Sequence, residues 1–143
     1  MNMVEIFNLS HCYRAQSPPA LSNVEFSVPQ GEIFGLLGPN GGGKSTLFKI
    51  LATLLCPSSG TPRIGGFDII KEARAVRRMT GVVFQSPSLA PKLTVRENMR
   101  LQGYLYGLSG SFLNERIAKL LESFGLEVRE NDLAETLSGG LAR

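Results

Sequence analysis

Two stretches near the N-terminus alternate apolar and polar residues: Met-Val-Glu-Ile-Phe-Asn-Leu over 3–9 and Ser-Asn-Val-Glu-Phe-Ser-Val over 22–28. A period of two puts alternate side chains on opposite faces, so both are expected to be half-buried antiparallel strands. Ser17-Pro18-Pro19 breaks the connection between them, and Pro29-Gln30-Gly31 makes a turn. The apolar run Ile33-Phe34-Gly35-Leu36-Leu37 then predicts a strand over 32–37, buried on both faces. Leu47, Ile50, Leu51 and Leu54 recur at helical spacing, the stripe of a helix beginning near Lys44. Residues 56–62 read as loop, 62–70 as short strand pieces, and Lys71–Met79 as a short charged helix. Gly81-Val82-Val83-Phe84 is expected as another buried strand, ending at Gln85. Thr94, with Glu97 three residues on, predicts a capping box, and the helix after it should bury Leu101, Tyr104, Leu105 and Leu108. Ser111 is the expected cap of a last helix that buries Leu113, Ile117, Leu120, Leu121 and Phe124, and Gly125 closes it.

Composition adds little to this picture and excludes several classes. With 143 residues, 43% hydrophobic and 19% charged, the chain has the make-up of one globular domain. The net charge of +3 is mild, and Arg74, Arg77 and Arg78 read as a solvated helix face, so no nucleic-acid partner is expected. No apolar run approaches the roughly 18 residues of a membrane-spanning helix. The start, Met1-Asn2-Met3-Val4-Glu5, lacks the basic and apolar regions of a secretion signal. Cys12 and Cys56 have no CxxC partner and read as free thiols of a reducing compartment.

Candidate chemistry changes the picture. Gly38-Pro39-Asn40-Gly41-Gly42-Gly43-Lys44-Ser45 fits the pattern GxxxxGK[ST] at every fixed position, between an expected strand and an expected helix. Strand, glycine loop and helix turn successive backbone N–H groups toward a phosphate chain at the positive end of the helix dipole. Gly38, Gly41, Gly42 and Gly43 give the backbone access to the positive φ values that such a concave nest requires. Lys44 is expected to reach the β- and γ-phosphates and the Ser45 hydroxyl to ligate Mg²⁺. A second motif, Leu137-Ser138-Gly139-Gly140-Leu141, follows the two expected helices.

Together the two motifs resemble the nucleotide-binding domain of ABC (ATP-binding cassette) ATPases, over essentially the whole chain. The resemblance implies an α/β fold: a P-loop NTPase core with an N-terminal antiparallel β subdomain and a helical subdomain. Residues 1–31 and 62–70 are assigned to the antiparallel part, 32–61 and 71–86 to the P-loop core, and 87–143 to the helical part. In the family an apolar strand ending in Asp, a catalytic Glu and a switch His follow the signature. This implies a domain truncated after Leu141 whose 1–143 portion does not hydrolyse ATP alone.

The resemblance also assigns roles. ATP and Mg²⁺ are the implied ligands, with Gly38 through Lys44, Ser45 and Thr46 around the phosphates. Tyr13 is the best match to the aromatic that stacks on adenine, whereas His11, on the same face, reads as structural. Gln85 matches the residue that touches Mg²⁺ and the attacking water, which makes it the catalytic candidate within the chain. Ser138, Gly139 and Gly140 match the signature that binds ATP held on a second ATP-binding subunit in a head-to-tail dimer. Two positions depart from the usual pattern: Gly42, where a small side chain is usual, and Leu141, where Gln is most frequent. The implied protein is the ATP-binding subunit of an exporter-like ABC transporter, peripheral on the cytoplasmic face of a membrane and paired with separate transmembrane permease subunits. The alternative is a cytosolic ABC ATPase that acts on ribosomes or nucleic acid without transport.

Overall fold

The computed structural model describes residues 1–15, 17–86 and 88–142, which fall into two compact units, Met1–Val82 and Val83–Arg143. Pro87, where the expected helical part begins, lies outside the described residues.

The first unit is built on a four-stranded antiparallel sheet in the order β2-β1-β3-β4, from β1 (Asn2–His11), β2 (Leu21–Pro29), β3 (Ser59–Ile64) and β4 (Phe67–Asp68). The alternation at 3–9 and 22–28 finds its pairing here, with Val4 opposite Val28 and Ile6 opposite Phe26. On its other edge β1 pairs with β3, Ile6 opposite Pro62, so a strand begins inside the segment expected as loop. Helix α1 (Lys44–Leu51) lays Leu47 and Ile50 against Ile6, Leu9 and Leu21 of the sheet. Ile6, Leu9 and Ile50 are completely buried, and each such side chain stabilises the fold by about 1.5–3 kcal/mol. Leu54, the outermost residue of the expected stripe, is exposed because the helix ends at Leu51. Helix α2 (Ala73–Met79) buries Val76 against Ile64 and Ile69, and its arginines face solvent as expected.

Two expected strands do not form. Residues 32–37 and 81–84 have irregular backbone, with Ile33 at 103% and Leu37 at 95% relative exposure. A strand exists only with a neighbour to complete its hydrogen-bond ladder, and neither segment finds one among the described residues. Apolar composition predicted their burial, and pairing denied it.

The second unit packs α3 (Val95–Leu105) on α4 (Gly110–Phe124). The capping box is present at Thr94 and Glu97, as the sequence predicts. The buried face of α3 is not the expected one. Val95, Asn98 and Gly103 point inward, while Leu101, Tyr104 and Leu105 are exposed. Gly103 explains the rotation: a Cβ there would clash with the Leu113 side chain, so the helices approach most closely at the glycine. On α4, Leu113, Ile117 and Leu121 are buried as expected, but Phe124 is exposed. The N-cap is Ser109 rather than Ser111, and Gly125 closes the helix at φ 62 in the left-handed conformation. The stretch Glu130–Glu135 returns to the start of α3 through Val95 N–H to the Asp132 carbonyl, Ala134 N–H to the Leu93 carbonyl and an Arg96–Glu130 pair in which Nε and Nη2 both meet Oε2, at 2.8 and 2.6 Å.

Candidate functional site

The glycine loop enters α1 through Gly43, which caps the helix at φ 79. A Cβ at Gly43 would collide with the Ala20 carbonyl and lie 2.7 Å from Leu21 Cδ2, so the start of β2 presses directly on the loop. Gly41 also takes a positive φ, of 82, while Gly42 does not. Gly42 instead turns its N–H inward, donating to the Pro39 carbonyl at 3.1 Å, and a Cβ at Gly42 would sit 3.1 Å from that same oxygen. The expectation that all the loop glycines supply positive φ is therefore corrected at Gly42.

The amides of Gly41, Gly43, Lys44, Ser45 and Thr46 donate to no backbone carbonyl among the described residues. The first such bond into the helix runs from Leu47 N–H to Gly43 at 2.9 Å. Unpaired N–H groups converging at a helix start form an anion nest, reinforced by the helix dipole. The Lys44 side chain folds back on this loop. Its Nζ donates to the carbonyls of Gly38 and Pro39, each at 2.7 Å. An ammonium has three N–H bonds, so one remains for an anion. The two carbonyls orient the charge at no cost to it. The Ser45 hydroxyl is exposed and has no hydrogen-bond partner among the described residues, which leaves its lone pairs open to a cation.

Tyr13, Ala20, Asn40 and residues 41–46 line a cavity of about 260 Å³. Tyr13 thus stands at the same cavity as the loop, just beyond the end of β1. Its hydroxyl lies 3.1 Å from Thr46 Oγ1, and Thr46 is itself buried. The structure therefore brings together Tyr13, Asn40, Gly41, Gly42, Gly43, Lys44, Ser45 and Thr46. Ala20 is a lining residue that sequence reasoning missed, and an unremarkable Ala before a strand carries no signal.

Gly38 and Pro39 do not line the cavity and meet the site through their carbonyls on Lys44, whereas Gln85, Ser138, Gly139 and Gly140 belong to the second unit. Gln85 is exposed on irregular backbone rather than at a strand end. Ser138 begins a single helical turn, in which Ala142 N–H donates to the Ser138 carbonyl at 2.9 Å and Leu141 N–H to Ser138 Oγ at 3.4 Å. Gly139 and Gly140 are exposed, and Leu137 anchors the turn in the α3–α4 core. Asn98 was not singled out by sequence. Its buried amide accepts from Ala90 N–H at 2.8 Å and donates to the carbonyls of Ala90, Leu93 and Thr94, pinning residues 90–94 ahead of α3. An Asn placed four residues after a capping Thr was the available signal. Among the described residues no helix is long and apolar enough to cross a membrane, no cluster of His, Cys, Asp and Glu is placed to hold a metal, and Cys12 and Cys56 are free.

Residues 21–143 match a protein-family model described as ABC transporter. The chain is 43% identical over 124 residues to the daunorubicin/doxorubicin resistance ATP-binding protein DrrA of Streptomyces peucetius, covering 87% of this chain and 38% of that protein. It is 38% identical over 141 residues to the linearmycin resistance ATP-binding protein LnrL of Bacillus subtilis, covering 99% of this chain and 45% of that one. Among solved structures, an ATP-binding cassette in a dimeric post-hydrolysis state bound to ADP and Pi superposes with a TM-score of 0.80 at 29% identity, covering 98% of this chain and 65% of that one. The chain thus spans less than half the length of these two curated relatives.

Proposed function

Because this chain belongs to the ABC transporter family, we propose that it is part of an ATP-binding subunit that couples ATP binding and hydrolysis to export across a membrane. The observation that carries the reading is the loop itself: unpaired amides at a helix start, with a lysine ammonium fixed on the loop's own carbonyls, in a cavity that Tyr13 also lines. The relatives named for drug and linearmycin resistance favour export over action on ribosomes or nucleic acid.

In this reading the amides of Gly41 and of Gly43 through Thr46 bind the phosphate oxygens and Lys44 neutralises charge on the β- and γ-phosphates. The Tyr13 ring stacks on adenine, a contact that grips any base face. Mg²⁺ would be held by the open Ser45 hydroxyl, and the family resemblance gives Gln85 a part at the same ion, which would supply positive charge to the phosphoryl oxygens. Gln85 orients the attacking water and reports nucleotide state to the helical part. Ser138, Gly139 and Gly140 present a hydroxyl and glycine amides to ATP on a second subunit. We assign residues 1–31 and 62–70 to an antiparallel β subdomain, 32–61 and 71–86 to the P-loop core, and 87–143 to a helical subdomain. No carboxylate of this chain is assigned the role of polarising water, so hydrolysis belongs to the complete domain. The partners are a second ATP-binding subunit and transmembrane permease subunits, which hold the protein at the cytoplasmic membrane face.

Isolation of the native protein from detergent-solubilised membranes tests this reading. It should bring down a multi-span membrane protein and an ATPase activity that Lys44→Ala abolishes. Recovery with ribosomes or nucleic acid instead would overturn the transport assignment.

A further inference from the structure

His11 ends β1, is 6% exposed, and neither ring nitrogen has a hydrogen-bond partner among the described residues. A buried imidazole in that state loses its hydration and gains no hydrogen bond in return, so an aliphatic residue would fill the space at lower cost. What the ring does have is an aromatic neighbour. His11 and Tyr13 stand perpendicular, 89° between planes, with centroids 4.8 Å apart. Edge-to-face contact at this distance is the arrangement that aromatic quadrupoles favour. At its far end Tyr13 is held again, by its hydroxyl on Thr46 Oγ1 at 3.1 Å. The backbone of His11 bears on the same site: its carbonyl accepts from Ala20 N–H at 2.8 Å, and Ala20 abuts Gly43 of the glycine loop.

We infer that His11 is a positioning residue for nucleotide binding: its ring holds Tyr13 upright at the mouth of the phosphate cavity, tethered at the other end by Thr46. This rests on the reading of Tyr13 as the base-stacking residue. An exposed tyrosine with free torsions must be ordered each time a base binds, whereas a ring fixed at both ends is ordered beforehand. Tyr13 is 58% exposed, so the fixed ring still offers surface for a planar base. The ligand class is therefore a nucleotide with a planar base, and the contribution of His11 is confined to its base end.

Calorimetric titration of the full chain with ATP and, separately, with inorganic tripolyphosphate tests the inference. The variants are His11→Leu, which fills the volume without an aromatic edge, His11→Phe, which restores the edge, and Tyr13→Ala. His11→Leu should lower ATP affinity about two- to twelvefold, the range of aromatic-pair energies, and leave tripolyphosphate affinity unchanged. His11→Phe should bind ATP like the parent, and His11→Leu should have no further effect when Tyr13 is already Ala. Unchanged ATP affinity in His11→Leu, alongside a loss in Tyr13→Ala, would overturn the role of His11 alone. Equal losses for ATP and tripolyphosphate would show that His11 only supports the fold. Unchanged ATP affinity in Tyr13→Ala would instead remove the base-stacking reading, and this inference with it.

Discussion

Replacing Asn98 should loosen residues 90–94 at the entry to α3, and the structure sets the size of the effect. Asn98 is 5% exposed, and both its amide oxygen and its amide nitrogen bond to backbone. Oδ1 accepts from Ala90 N–H at 2.8 Å, and the Nδ2 protons serve the carbonyls of Ala90 and Thr94 at 3.0 Å and Leu93 at 3.2 Å. Each such bond contributes about 0.5–1.5 kcal/mol net, and a buried group left without a partner costs about 1–3 kcal/mol. Ala90 is only partly buried, so water rescues some of the groups that Asn98→Ala leaves unpaired. The expected loss is about 2–3 kcal/mol. Asn98→Asp is nearly isosteric and retains the acceptor for Ala90 N–H, yet it aims a carboxylate at three carbonyl oxygens. It should be less stable than Asn98→Ala at neutral pH. It should recover as pH falls, because protonation removes the charge and restores a donor. Urea denaturation followed by helical circular dichroism gives the stabilities, and hydrogen exchange at Ala90 reports the local opening. A loss below about 0.5 kcal/mol in Asn98→Ala, or an Asp variant as stable as the parent at pH 7, would refute the argument.

Other consequences are equally specific. Gly43→Ala forces a Cβ onto the Ala20 carbonyl at a positive φ, so it should lower the melting temperature and ATP affinity together; Gly42→Ala, whose Cβ meets the Pro39 oxygen at 3.1 Å with ordinary φ, should be much milder. Thr94→Ala removes the capping hydroxyl and should cost α3 about 1 kcal/mol, read by urea denaturation. The Thr94 backbone N–H, and then its hydroxyl, hold the Glu97 carboxyl below its ordinary pKa of 4.5. A depressed carboxylate stabilises the folded form above that pH and loses its effect as pH falls through the lowered value. Stability should therefore decline below about pH 4.5, with a shallower acid limb in Glu97→Gln.

Local signals were legible in the sequence, and pairing was not. Alternation at 3–9 and 22–28 gave β1 and β2 because one buried face suffices to place such strands. The Thr94 box and Gly125 were readable because a cap is satisfied within four residues. The runs at 32–37 and 81–84 misled because hydrophobicity reports what burial would gain and not whether a neighbouring strand exists. The α3 stripe misled for a related reason: Gly103 sets the helix approach, and a missing side chain leaves no mark in an apolar pattern. At the site, the loop's pattern was readable since its residues are consecutive, but the inward turn of the Gly42 amide was not. Tyr13 came from resemblance alone, and the contacts of Asn98, His11 and Ala20 depend on tertiary neighbours that no spacing encodes.

The central claim is that residues 38–46 hold the phosphates of ATP, with Lys44 as the charge at their centre. Titration of ATP against the full chain and against Lys44→Ala tests it most directly. A hydrogen bond to a charged group contributes about 1.5–3 kcal/mol, so the variant should bind ATP at least about tenfold more weakly while unfolding like the parent. Equal affinity in the two proteins would contradict the assignment of this loop as the nucleotide site.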